Sequence, residues 1–424
     1  MRRLLLAAFP LSCLAASPPA AGQDLAATIA DALAHAPAVA EAEAGAAAAK
    51  ARAGRARAEG NPLLRVEGSY GSGRIDNWGF FGITADNVNP LAAQATAEMP
   101  LYAGGRVAAA IAQAKAGADA ARFGSSQTRL TTMVQAVAAY AEVVTSRKLE
   151  ARFNQLAGEL AEVERQAGLR YNAGEIVSSE VAQARARAAE SLAGLAQAQG
   201  RRISAEAAFV RLTGTPAGEL APLNDLPPLP ASLDEARDLA RQANPALRQA
   251  DAGIAAARAG ARAARAEGMP TVGGFAEAAH VRDQFFPGYK ADSVAVGLRA
   301  RWTVFAGGRV ARQVEVADAE LLVAEARARQ VGDALDGMVI DAWQGLETAH
   351  RTVAASQLRR DAAAEALRGT RLEAQVGARP TLAVLDAERE AIGAEAALLE
   401  AEGRRTVVAW QLAALTGQTP VPDE

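Results

Sequence analysis

Met99-Pro100-Leu101-Tyr102-Ala103-Gly104-Gly105-Arg106-Val107 returns two hundred residues later as Thr303-Val304-Phe305-Ala306-Gly307-Gly308-Arg309-Val310. In both copies a strand-like run ends at an aromatic, passes through Ala-Gly-Gly-Arg, and opens a long alanine-rich helical pattern. Glycines adopt backbone angles that a Cβ resists, so a Gly-Gly pair suits a sharp change from strand to helix. A five-residue match at equivalent places marks Gly104, Gly105, Arg106 and Gly307, Gly308, Arg309 as strand–helix junctions of an internal repeat.

Other landmarks keep the same spacing. Ala36-Pro37-Ala38-Val39 aligns with Asn244-Pro245-Ala246-Leu247, and Glu59-Gly60-Asn61-Pro62 with Glu267-Gly268-Met269-Pro270, both at an offset of 208 residues. From the Gly-Gly pairs onward the offset is 203, and it holds at Leu212-Thr213-Gly214 against Leu415-Thr416-Gly417. The five residues are lost within the strand region, where a loop shortens at little cost.

The 424 residues are 50% hydrophobic but only 4% aromatic, and alanine dominates, a composition suited to closely packed helices. A net charge of -3 and the lack of a basic patch interleaved with aromatics argue against a nucleic-acid partner. Arg2 and Arg3, the apolar run Leu4–Ala16 and the small residues Ala20-Ala21-Gly22 read as a secretory signal cleaved before Gln23. The only cysteine, Cys13, lies inside that signal behind Pro10-Leu11-Ser12, a poor lipobox, and whether it is lipidated stays open. No later apolar run reaches about 18 residues, so insertion into a membrane would have to use strands.

Those strands are visible. From Ser293, the residues Val294, Val296, Leu298, Ala300, Trp302 and Val304 alternate with Ala295, Gly297, Arg299, Arg301 and Thr303. An apolar face opposite an arginine-bearing face fits a barrel wall between lipid and water. No proline interrupts residues 102–215 or 288–379, so each junction feeds a helix of about 65 residues, roughly 100 Å long at 1.5 Å per residue. Leu335, Val339, Ala342, Leu346, Ala349 and Val353 step by four and three, as in a coiled-coil seam. Each long helix stops at a glycine turn, where Ser178 or Thr381 is expected to cap a returning helix.

The organisation expected is a signal peptide at 1–22 and a first repeat at 23–216. That repeat holds strands at about 63–74 and 90–102, a long helix at 107–171 and a return helix at 178–213, with an outward loop around Trp78-Gly79-Phe80-Phe81. A Pro-rich linker at 217–230 leads to a second repeat at 231–417, with strands at about 270–282 and 293–305, a long helix at 310–375 and a return helix at 381–415. A tail covers 418–424. Four strands cannot close a barrel, which takes about eight, and open edges are not tolerated in lipid, so the chain must oligomerise.

Taken together, the Asn-Pro opening, both junctions, both glycine turns and both Leu-Thr-Gly ends resemble the TolC-type outer-membrane efflux proteins over about Leu25 to Gly417. Arg170-Tyr171-Asn172-Ala173-Gly174 and Val376-Gly377-Ala378-Arg379 through Val384-Leu385-Asp386-Ala387 carry the resemblance most specifically. It implies a mainly α fold with a membrane β-barrel: a homotrimer with a twelve-stranded barrel in outer-membrane lipid above an α-helical coiled-coil barrel in the periplasm. Such a protein is the passive exit duct of a tripartite efflux or type I secretion system, serving an inner-membrane pump through a periplasmic adaptor.

The resemblance further implies that the tip turns, Gly174, Glu175, Ile176, Val177 and Gly377, Ala378, Arg379, Pro380, meet the adaptor. It places Asp386 in an acidic ring at the constriction, with Arg379, Glu180 and Ser179 among the gating positions. Ala383 and Ala374 depart from the family pattern, where a second Asp and a Tyr can stand, which points to a weaker cation ring and easier opening. A soluble periplasmic coiled-coil adaptor is the alternative, although adaptors lack a duplicated strand–Gly-Gly-Arg–helix unit. Catalysis is not expected, and neither is a cofactor or metal: His35, His280 and His350 lack ligand spacing, and Gly104-Gly105-Arg106 lacks the Gly-Lys-Ser/Thr of a phosphate loop.

Overall fold

A computed structural model describes residues 23–77, 83–223 and 226–419. The signal segment with Cys13, the loop at Trp78–Phe81 and the end of the tail lie outside the described residues. The first repeat runs α1 (Leu25–His35), α2 (Pro37–Ala58), β1 (Leu63–Tyr70), β2 (Gly73–Asn77), β3 (Ile83–Val88), β4 (Leu91–Tyr102), α3 (Arg106–Asn172) and α4 (Ser178–Thr213). The second runs α5 (Leu233–Ala243), α6 (Pro245–Ala266), β5 (Thr271–Arg282), β6 (Lys290–Arg301), α7 (Arg309–Gln375) and α8 (Thr381–Thr416).

β1, β4, β5 and β6 form one antiparallel sheet in that order, and β2 pairs with β3 as a separate ribbon. The strand expected at 63–74 is therefore split, because the chain leaves the sheet after Tyr70 and the Gly71 N–H turns to the Pro90 carbonyl at 3.0 Å. The strand expected at 293–305 is shifted to Lys290–Arg301. Its lower limit follows from its partner: Thr271 pairs with Arg301, and Pro270 before it has no N–H to extend the ladder. Trp302, Thr303, Val304 and Phe305 keep the alternation but lose the strand, and the Trp302 indole instead donates to the Gly268 carbonyl at 3.1 Å. The two junctions thus differ, since only β4 runs unbroken into its Ala-Gly-Gly turn.

Register sorts the sheet into two faces. Leu64, Val66, Val294, Val296 and Leu298 stand exposed on one face. Arg65, Glu67, Gln94, Thr96, Glu98, Glu277 and Arg299 gather in a polar recess on the other, where Arg299 lies 3.3 Å from Glu98 and stacks over the Phe275 ring. Exposed aromatics mark both ends of the wall: Phe285 and Phe286 set edge-on to Tyr289 at the β5–β6 loop, and Tyr102 and Trp302 near the junctions. Aromatic girdles around an apolar band are the surface chemistry of a membrane barrel. Among the described residues, β1 and β6 each keep one unpaired edge.

α3 and α7 have 67 residues each, a span of roughly 100 Å. The 22-residue α2 and the 36-residue α4 lie along α3, and α6 and α8, of the same two lengths, lie along α7. α3 also packs against α6 and α8, which joins the repeats side by side. The seam Leu335, Val339, Ala342, Leu346, Ala349, Val353 is buried along its whole run. The repeats share a core where Trp410 and Ala414 of α8 meet Ile29, Met133 and Val137.

The Pro-rich linker is tied down rather than loose. Gln23 bridges to Leu220, the Tyr140 hydroxyl sits 3.0 and 2.8 Å from the Gln23 and Ala221 carbonyls, and Arg147 donates to the Ala217 carbonyl at 2.7 Å. Asn244 is buried and does two jobs: its Oδ1 caps Ala246 at 2.9 Å and its amide donates to the Leu415 carbonyl at 3.2 Å.

Candidate functional site

Both helical hairpins end at one tip. α3 stops at Asn172, Gly174 takes φ +78°, and the Glu175 N–H returns to the Arg170 carbonyl at 2.9 Å. α7 stops at Gln375, Gly377 takes φ +75°, and the Ala378 N–H returns to the Glu373 carbonyl at 2.9 Å. A left-handed residue that lets the next N–H reach back into the last turn is how a helix ends at glycine. The expected caps are not found. Val177 and Pro380 occupy the N-cap positions without side-chain bonds, and Ser178 and Thr381 are the first helical residues. Pro380 fits because its backbone, φ -70° and ψ 153°, is the extended geometry an N-cap needs.

Each turn is spanned by an arginine–glutamate pair of opposite order. Arg170 reaches Glu175 at 3.1 Å in the first, and Glu373 receives Arg379 at 2.7 Å in the second. All four side chains are half exposed, so each pair contributes only about 0–1 kcal/mol. Between the turns lies a cavity of about 230 Å³ with Val163 and Arg170 of α3, Ile176 and Glu180 from the first turn and α4, and Pro380, Leu382 and Leu385 at the start of α8. The structure thus brings Glu180, Ile176 and Pro380 together. It does not bring Arg379 to Glu180 within the chain, since Arg379 is held by Glu373. Glu175, Val177, Ser179, Gly377 and Ala378 are all exposed.

Asp386 lies in the second turn of α8 and is not a bare carboxylate. Arg187 of α4 donates to it at 3.0 Å and to Glu190 at 2.8 Å, and Arg389 stands 4.0 Å from Glu190. Higher up, further pairs fasten α8 to the first repeat: Arg201 of α4 to Glu400 at 2.5 Å, Arg152 of α3 to Glu395 at 2.6 Å, and Arg371 of α7 to both Glu159 and Glu388 at 3.0 Å. No spacing rule points to Arg187, Arg152 or Arg371.

Glu388 is the buried member of this ladder, 5% exposed, with Oε2 lacking a hydrogen-bond partner among the described residues. Burial pushes its carboxyl above the ordinary glutamate value, Arg371 draws it back, and the charge of Glu159 raises it again. A carboxyl raised on folding lends stability that is complete below its unfolded value near 4.5 and is lost as pH rises through the folded value. Glu388→Gln removes that loss. The melting temperature of Glu388→Gln relative to the parent chain is therefore expected to climb as pH rises above about 4.5. A difference that stays flat with pH would show that burial does not govern this carboxyl.

Among the described residues no group of three His, Cys, Asp or Glu side chains could hold a metal ion, and no helix is long and apolar enough to cross a membrane.

Residues 28–215 and 236–418 match the family model for outer membrane efflux proteins. The outer membrane efflux protein BepC of Brucella suis biovar 1 (strain 1330) is 28% identical over 289 residues, which is 68% of this chain and 63% of that protein's length. Solved structures share the fold, among them the following three. The CmeC outer membrane channel of Campylobacter jejuni superposes with a TM-score of 0.82 at 14% identity, over 93% of this chain and 85% of that one. The outer membrane protein VceC of Vibrio cholerae gives 0.77 at 20% identity over 93% and 96%. The open state of the MtrE outer membrane channel of Neisseria gonorrhoeae gives 0.76 at 21% identity over 93% and 88%.

Proposed function

The chain belongs to the outer membrane efflux protein family, and on that premise we propose that it is the exit duct of a tripartite efflux or type I secretion system. The observation that carries this reading is the sheet: one apolar face, one charged face, two edges unpaired among the described residues, and a strand, β4, that runs straight into a helix roughly 100 Å long. Three chains would close its edges into a barrel of twelve strands, above the practical minimum of about eight. The helices would close below into a periplasmic tunnel, with α7, whose outer flank is open, docking on α2 and α4 of the next chain. A soluble adaptor would leave Val66, Val294, Val296 and Leu298 in water, which disfavours that alternative.

In this reading the duct is passive and carries out no catalysis. Substrate enters from an inner-membrane pump through a periplasmic adaptor whose hairpins meet Gly174–Val177 and Gly377–Pro380. The cavity between the turns suits an apolar adaptor side chain, because Val163, Ile176, Leu382 and Leu385 line it and Arg170 and Glu180 supply polar neighbours. Asp386 lines the constriction. Arg379, Glu180 and Ser179 hold the entrance closed against neighbouring chains; Glu180 makes no ion pair within its own chain among the described residues, which leaves its exposed carboxylate to a neighbour.

The experiment is direct. Protein extracted from outer membrane in detergent is expected to run as a heat-dissociable trimer and to give small conductances in planar bilayers. Replacing Arg379 and Glu180 together with alanine is expected to raise the conductance, and an unchanged value would remove both from the gate. A water-soluble monomer without channel activity would overturn the duct reading.

A further inference from the structure

Resting on the duct reading, we propose that the constriction is charge-balanced rather than acidic, and that Arg187 sets its ion selectivity by masking Asp386. The guanidinium of Arg187 is shared. One nitrogen lies 3.0 Å from Asp386 Oδ1 and the other 2.8 Å from Glu190 Oε2. Arg389, one turn beyond Asp386 on α8, faces the same Glu190 at 4.0 Å. Two arginines and two carboxylates from two helices therefore form one cluster of zero net charge.

The neighbouring charges are engaged elsewhere, which confines the cluster to these four. Arg185 turns to Glu164 of α3 at 3.3 Å, and Glu390 turns to Arg359 of α7 at 2.7 Å. Arg187 is thus the arginine at this level of α4 that reaches α8. Its side chain is 29% exposed against 47% for Asp386, so the carboxylate keeps an open side while its charge is offset from behind. A contact at 3.0 Å lies well inside a Debye length of about 10 Å at 0.1 M salt, so the masking persists under recording conditions.

A bare ring of three carboxylates would concentrate cations and bind a trivalent cation. A ring of Arg187–Asp386 pairs presents dipoles instead, whose field falls away within a few ångströms. In the trimer, cation preference is therefore set by whether Arg187 is present behind each Asp386, and substrates of either sign pass with little discrimination at this level.

The full-length protein is tested in planar bilayers under a KCl gradient, with hexamminecobalt added on the periplasmic side. Arg187→Gln is expected to shift the reversal potential toward the potassium equilibrium potential and to tighten hexamminecobalt block about tenfold, equivalent to roughly 1.4 kcal/mol. Arg187→Lys restores the parent values, and Asp386→Asn shifts the reversal potential toward chloride. A fold merely loosened by the change would raise conductance without moving the reversal potential. If Arg187→Gln and Asp386→Asn both leave the reversal potential and block where they were, the masking proposal fails while the duct reading stands. Absence of channels from the parent protein overturns both.

Discussion

Val296→Arg is expected to keep the chain out of the outer membrane, whereas Ala295→Arg, one residue earlier on the same strand, is expected to be tolerated. In β6 the side chains alternate, and Val296 stands at the centre of a column with Val294 and Leu298 that is 71–81% exposed in the single chain. Its partner across the sheet is Ala276, also apolar and small. An arginine there would face hydrocarbon at mid-depth, at a cost of about 2–4 kcal/mol per chain. Ala295 pairs with Glu277 on the opposite face, beside Thr96 and Arg65. An arginine at 295 enters a water-filled, charged surface and gains a carboxylate neighbour. The readout is the amount of heat-dissociable trimer in outer-membrane fractions. Equal loss from both substitutions, or the reverse order, would mean that the two faces of the sheet have been assigned the wrong way round.

That contrast rests on a pattern already plain in the residues between Ser293 and Val304, and so did the duplicated strand–helix architecture. Alternation and glycine turns are local, so they survive in a sequence read alone. Strand ends were less legible because they depend on the partner: Pro270, just before the neighbouring strand β5, decides that β6 stops at Arg301. Helix caps misled for a related reason. Ser178 and Thr381 are good caps by type, yet the glycine turns deliver Val177 and Pro380 to those positions. The charge ladder was hidden altogether. Arg187 and Asp386 are 199 residues apart, as are Arg201 and Glu400, and only the side-by-side packing of the repeats brings them to hydrogen-bonding distance.

Gly104→Ala and Gly307→Ala, the same change at the same place in each repeat, are expected to fail at different stages of assembly. Both glycines hold left-handed angles, φ +59° and +60°, so alanine brings about 1–2 kcal/mol of backbone strain to each. Only Gly104 is also crowded within the chain. A Cβ there would overlap the Cβ of Met269 and lie 3.1 Å from the Ala266 carbonyl, whereas one at Gly307 meets nothing within 4 Å among the described residues. Crowding of this kind adds about 1–3 kcal/mol, so Gly104→Ala is expected to lower the yield of folded chain before any trimer forms. The repeat shows what is missing beside Gly307. Met269 belongs to a turn that recurs at Asn61, with the Met269 N–H on the Ala266 carbonyl at 3.1 Å and the Asn61 N–H on the Ala58 carbonyl at 3.0 Å. If three chains continue the spacing of the two repeats, Asn61 of the next chain comes to rest against Gly307. Met269→Gly, which removes the offending Cβ where Met269→Ala would not, is then expected to rescue Gly104→Ala alone. Asn61→Gly is expected to rescue Gly307→Ala alone, with the gain seen in trimer heat stability rather than in the yield of folded chain. Rescue of Gly307→Ala by Met269→Gly instead would show that the second junction is completed within one chain.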